Sequence, residues 1–182
     1  MLTIHIPAYE AFDNRTNRFY EIKGATLRLE HSLISLARWE EKWEKPYLGN
    51  DERTMEQCLD YVRCMTLTPN VDPAVYQGLT NENLKEIDDY IKAPMTATWF
   101  NEQDNKRFSR EVITAEIIYY WMVALNIPFE CEKWHLNKLL TLIRVCNIKN
   151  DPKKNKRESR SAMMARRSAL NKSRRAKHGT HG

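Results

Sequence analysis

Glycine and histidine are scarce in this chain, and the shortage disfavours several classes of enzyme. Among 182 residues there are five glycines and five histidines. The glycines are not spaced as in a loop that cradles phosphate, and no histidine stands in a local arrangement of nucleophile, base and orienting residue. Residues distant in sequence could still converge. The sequence itself predicts no catalytic residue and no cofactor, and we expect a protein that is not an enzyme.

Cysteine is sparse, and its placement argues against disulfide bonds. Cys58, Cys64, Cys131 and Cys146 fall inside apolar helical patterns, which is typical of reduced thiols in a cytosolic protein. Cys131 and His135 are one helical turn apart and form the best candidate metal pair. Tetrahedral zinc needs four ligands, and no second close pair exists. We therefore expect a buried thiol, a packed imidazole and no metal.

Long apolar runs are missing as well. No run approaches the roughly 20 residues that cross a bilayer, and no charged segment followed by an apolar one starts at Met1. We expect a cytoplasmic protein that does not bind membranes.

Charge is unevenly distributed along the chain. Residues 149–182 hold 12 Lys and Arg against 2 acids, and residues 1–148 hold 17 against 22, so a segment of +10 follows a body of −5. The apolar pattern ends at Asn150. We therefore predict one helical domain, residues 1–150, and a basic, flexible and disordered tail, residues 151–182.

The basic tail allows two interpretations. Its arginines alternate with alanine, methionine and leucine, which predicts an amphipathic basic helix that meets phosphates or an acidic protein. The alternative is a solvated tail without a dedicated ligand. The residues proposed to contact a partner are Arg166, Arg167, Arg174 and Arg175.

The N-terminal segment has the alternation of β-strands. Leu2 to Ile6 alternates and stops at Pro7, where the ring removes a hydrogen-bond donor. Further strands are predicted at 18–22 and 26–29, and residues 13–17 have turn chemistry. The pattern predicts a hairpin between the first two strands, followed by a third strand.

Helical periodicity begins at Ser32. One helix runs from there into Pro46, Thr54 and Thr80 are predicted caps of two more, and Pro73 starts a short one. The apolar stripe predicted for the helix after Thr54 comprises Met55, Cys58, Leu59, Val62 and Met65. The fold class is mainly α, a compact helical domain with a small N-terminal β-hairpin or strand element.

Two adjacent helices are predicted to form the centre of the fold. The first follows Ser109 as a cap and spans residues 112–125, which are apolar nearly all round. Pro128 permits a new start, and the second helix is expected to pack back onto the first. Its stripe comprises Trp134, Leu136, Leu139, Leu140, Ile143 and Cys146.

Tryptophans at helical spacing are candidates for a binding surface. Most of them, Trp121 and Trp134 included, are predicted to fill the core. Trp39 and Trp43 are the exception, because an exposed stripe on their helix would contact a partner helix.

Several segments resemble tail assembly chaperones of long-tailed bacteriophages. The resemblance covers nearly the whole chain, and its clearest segments are LEHSLIS (29–35), DYVRCMTL (60–67), PMTAT (94–98), ITAE (113–116), CEKWHLN (131–137) and CN (146–147).

The resemblance implies a non-enzymatic factor that acts in the host cytoplasm. Such a chaperone binds the long helical tape-measure protein, keeps it soluble for tail-tube assembly and is absent from the mature virion. The tail-tube protein and a second copy of the chain are further expected partners. Two other functions stay open: a nucleic-acid-binding protein that acts through its basic tail, and a structural component of the virion tail.

Overall fold

The computed structural model describes residues 1–13, 17–49, 52–100, 112–150 and 160–178, and it is mainly helical with a small β element, as predicted. Contacts group residues 1–144 into one unit and residues 145–182 into another. Within the described ranges, no helix is both long enough and apolar enough to cross a membrane.

The N-terminal strands form two antiparallel pairs, β1 with β4 and β2 with β3. The second pair continues the register of the first without a shift, from Leu2 opposite Leu29 to Asp13 opposite Arg18. The four strands are therefore one long hairpin with a single interruption. They are β1 (Leu2–Ile6), β2 (Tyr9–Asp13), β3 (Arg18–Ile22) and β4 (Ala25–Leu29).

The interruption lies at Pro7 and Gly24. Pro7 has no N–H for the ladder, and a Cβ on Gly24 would lie 2.8 Å from the Ala8 nitrogen and 2.9 Å from the Ile6 carbonyl oxygen. Only glycine fits this close approach of two backbones. Gly24 therefore allows the hairpin to continue beyond Pro7.

The predicted strand pairing is wrong. The first strand pairs with Ala25–Leu29 and not with 18–22, whose partner is the unpredicted strand Tyr9–Asp13. Glutamate, alanine and aspartate are all poorly represented in strands, so the sequence of β2 does not predict a strand. Cross-strand pairing with β3 overrides that propensity.

After the strands, the described chain contains six α-helices and two short 3-10 helices. Thr54 and Thr80 cap α2 and α3 as predicted, and each accepts the backbone N–H three residues later. The predicted cap Ser109 lies outside the described residues. The helices are α1 (Leu33–Trp43), α2 (Met55–Met65), α3 (Asn81–Lys92), α4 (Ala115–Ala124), α5 (Leu136–Asn150) and the tail helix (Arg160–His178); the 3-10 helices are Pro73–Gly78, as predicted, and Phe129–Lys133.

The stripe predicted for α2 is only partly correct. Val62 and Met65 are buried, but Met55 and Cys58 are exposed. In their place α2 buries polar side chains that have partners, such as Asp60, which accepts a hydrogen bond from the indole of Trp43. Hydrogen bonding, and not hydrophobicity alone, sets the rotation of this helix.

Helix α1 lies at the centre of the helical domain, between α2 and α4. Leu33 and Leu36 on α1 are fully buried. The predicted central hairpin of the segment 112–125 and the following helix is wrong, because only one side of α4 is buried and α4 packs mainly against α1 and not against α5. The stripe predicted for the second helix is buried at Leu136, Leu139 and Ile143. Trp134 precedes α5 and is 37% exposed, so the prediction that it fills the core is wrong, and Trp121 is only half-buried.

Truncation of Leu36 tests this central position. We expect Leu36→Ala to lower the free energy of unfolding by about 2–5 kcal/mol, because it opens a cavity beneath two helices. Urea denaturation measures the loss. The control is Met55→Ala, whose side chain is 64% exposed and should change stability by less than about 0.5 kcal/mol. Equal losses would show that α1 is not the packing centre.

Candidate functional site

A buried carboxylate fixes the position of α4. Glu40 on α1 accepts a hydrogen bond from the Tyr47 backbone N–H through Oε1 and one from the Ala115 N–H through Oε2, both at 2.7 Å. Thr114, the residue before α4, forms no side-chain cap bond within the described chain. Glu40 therefore caps α4 from another helix, and its negative charge suits the positive end of the helix dipole.

Two opposing effects act on the pKa of the Glu40 carboxyl. Burial raises the pKa of the Glu40 carboxyl, and the backbone N–H groups of Ala115 and Tyr47 offset part of that rise. Both oxygens accept hydrogen bonds, which is the pattern of an ionised carboxylate. The carboxylate is thus held by the two segments that it joins.

On the side opposite its buried residues, helix α4 presents two large apolar side chains and the carboxylate of Glu116 to solvent. Ala115, Ile118 and Met122 face the core, whereas Tyr120 is 69% and Val123 is 60% exposed. This division follows the period of the helix. Because nearly every position is apolar, hydrophobicity alone could not indicate which side would be covered.

The exposed surface continues beyond the end of α4. Phe129 is 55% exposed, and its ring centroid lies 6.4 Å from that of Tyr119. We define the α4 face as Tyr119, Tyr120, Val123 and Phe129. The rings of Tyr119 and Phe129 are in contact, and Tyr120 and Val123 lie one helical turn apart. Surfaces of this kind are covered by protein partners.

A second hydrogen bond holds this face in place. The Tyr119 hydroxyl donates to Glu132 Oε2 at 2.9 Å. Burial and this carboxylate raise the pKa of Tyr119 to about 12, so the hydroxyl keeps its proton at neutral pH. The contact ties the 3-10 helix that carries Phe129 to α4.

The two predicted tryptophan contacts do not form an exposed stripe. Trp39 is 2% exposed and its Nε1 donates to the Gln57 carbonyl oxygen at 2.9 Å. Trp43 is half-buried, and its Nε1 donates to Asp60 Oδ2 at 2.9 Å. Both indoles face α2, because that helix provides a hydrogen-bond acceptor for each of them. Trp39 is a core residue. Exposed aromatic side chains of the described residues lie elsewhere, on β2 and β3 as well as on the α4 face.

The other predicted contact residues lie on the tail helix. Arg166, Arg167, Arg174 and Arg175 are exposed there. They belong to the second unit of the chain, and the α4 face belongs to the first.

The predicted pair Cys131 and His135 is engaged in packing. His135 Nε2 lies 3.0 Å from the Tyr90 carbonyl oxygen, and its Nδ1 accepts the Asn137 N–H at 3.3 Å. Both ring nitrogens are therefore occupied. No group of three or more potential metal ligands is found among the described residues.

His135 belongs to a buried pair of imidazoles. Its ring centroid lies 5.1 Å from that of His31, whose Nδ1 is 2.6 Å from the Tyr61 hydroxyl. Burial, with a further effect of His135, lowers the pKa of His31 to about 3. Burial also lowers the pKa of His135. Both rings are neutral in the folded protein near neutral pH.

These histidines predict acid sensitivity. The unfolded chain binds protons that the folded chain does not, because both folded-state pKa values are depressed. The contribution of the two neutral imidazoles to the stability of the fold is fully present above about pH 6.5. It is lost as the pH falls toward about 3. We expect urea midpoints to fall with acidification, and less steeply in His31→Gln than in the control His5→Gln, whose imidazole is exposed. Parallel pH profiles for the two variants would contradict this assignment.

The bridging carboxylate can be tested with an isosteric change. In Glu40→Gln one carboxylate oxygen becomes an amide nitrogen that cannot accept, so either the Tyr47 or the Ala115 N–H loses its partner. We expect a loss of about 1–3 kcal/mol in unfolding free energy and faster hydrogen exchange at Ala115. The neighbouring exposed Glu41→Gln is the control. If both variants match the wild type, Glu40 does not hold α4.

Comparison with known proteins identifies no relative of the chain. No protein-family model, curated protein or solved structure matches the chain.

Proposed function

We propose that the protein is a bacteriophage tail assembly chaperone that binds the tape-measure protein and keeps it soluble until the tail tube assembles. The observation that carries the proposal is the α4 face, an exposed apolar surface on a firmly positioned helix. In this proposal the protein acts in the host cytoplasm as a binding factor and leaves before the virion is complete.

The α4 face has the chemistry of a protein-binding surface. Tyrosine and phenylalanine are enriched in the centres of interfaces, and the exposed Glu116 beside Tyr120 suits the polar rim. Tyr120 and Val123 lie on one side of α4, where the apolar stripe of a partner helix could pack against them. A tape-measure protein is a long helical chain, and its apolar stripes would aggregate unless another surface covered them.

The supports of the face favour binding without rearrangement. Glu40 fixes the start of α4, and the contact between Tyr119 and Glu132 fixes the turn that follows it. A surface that is already ordered loses less conformational entropy when it binds a partner. The same rigid surface could meet many similar segments along one extended chain.

Co-expression with the tape-measure protein tests the proposal. We expect the full-length chain to keep that protein soluble and to copurify with it after nuclease treatment and at high salt. Tyr120→Ser with Val123→Ser should abolish copurification, because it removes the apolar contact. The matched control is Met55→Ser with Leu67→Ser, two exposed apolar residues elsewhere on the domain.

Three results would each contradict a part of the proposal. One is an insoluble tape-measure protein in the presence of a folded, soluble chain. Another is equal capture by both double variants, which would place the contact outside the α4 face. Detection of the chain in purified virions would favour a structural component of the tail.

A further inference from the structure

We propose that the tail helix is a binding site for the phosphate backbone of nucleic acids, independent of the α4 face. Residues 160–178 form a continuous helix of 19 residues. This segment contains no aspartate or glutamate and seven cations. They are Arg160, Arg166, Arg167, Lys172, Arg174, Arg175 and Lys177.

The arginines come in two adjacent pairs. The members of each pair, Arg166 with Arg167 and Arg174 with Arg175, project about 100° apart around the helix axis. The pairs are separated by eight residues, or about 12 Å along the axis. All four side chains are exposed. Cations thus point to more than one side of the helix, as a helix between two rows of phosphates requires.

The position of one arginine pair disfavours a protein groove as the ligand. An amphipathic helix that enters such a groove carries apolar residues at i, i+3, i+4 and i+7. Here Met163 and Leu170 occupy the ends of that pattern, but Arg166 and Arg167 occupy its centre. Only small alanine side chains, at positions 162, 165 and 169, keep helical spacing without a charge between them, so the helix has no stripe of large apolar residues. Arginine also matches phosphate with two parallel hydrogen bonds.

The helix itself would gain from bound phosphate. Lys172 with Arg175 and Arg174 with Lys177 place like charges one turn apart. Helix formation is cooperative, and like charges one turn apart oppose it. Neutralisation by phosphate removes the repulsion, so binding and helix formation reinforce each other.

A matched pair of full-length variants tests the site. One carries Arg166→Gln, Arg167→Gln, Arg174→Gln and Arg175→Gln. The other carries Lys23→Gln, Lys45→Gln, Lys85→Gln and Lys133→Gln on exposed positions of the other unit. Each keeps 25 of 29 Lys and Arg against 24 acids, so the net charge falls equally, from +5 to +1.

Fluorescence anisotropy of a labelled DNA duplex of random sequence measures binding between about 50 and about 200 mM NaCl. We expect the arginine variant to bind about tenfold more weakly or worse at low salt, with a salt slope reduced by about 0.9 for each phosphate that is no longer neutralised. The lysine control should bind like the wild type. Equal loss of DNA affinity in both variants would show that net charge alone accounts for the binding. Equal competition by polyglutamate of matched charge would assign the helix to acidic proteins, and either result overturns the proposal.

Discussion

The carboxylate of Glu40 is the group on which the arrangement of the helical domain depends. It accepts one hydrogen bond from the loop after α1 and one from the first turn of α4, 75 residues away in sequence. Burying a carboxylate is costly unless its oxygens are satisfied. Here both are, and the pairing selects one placement of α4 against α1. Removal of these hydrogen bonds would loosen the first turn of the helix that carries the exposed surface.

The consequence for function is the asymmetry of α4. Its core side is filled by Ala115, Ile118 and Met122, and its other side exposes Tyr120 and Val123. A segment this apolar is normally covered on all sides. Exposure of one side on a fixed helix is therefore a stability cost that a binding partner would offset. Stability and binding are linked through the same helical segment.

Local patterns predicted much of the secondary structure, and long-range contacts account for the errors. The caps Thr54 and Thr80 could be identified because a cap acts within three residues. The bond from Glu40 to Ala115 could not, since nothing near either residue indicates the other. Trp39 faces the core because Gln57 offers it an acceptor. The α4 face could not be predicted because an almost uniformly apolar sequence carries no periodic signal.

The most direct test of the central claim is site-specific photo-crosslinking in cells that produce the chain together with the tape-measure protein. A photoreactive phenylalanine analogue would replace Tyr120 in one sample and exposed Met55 in another, and mass spectrometry would identify the crosslinked partner. We predict that position 120 forms a crosslink to the tape-measure protein and that position 55 does not. Crosslinks from position 55 alone, or from neither position while the complex forms, would contradict the assignment of the α4 face as the binding surface.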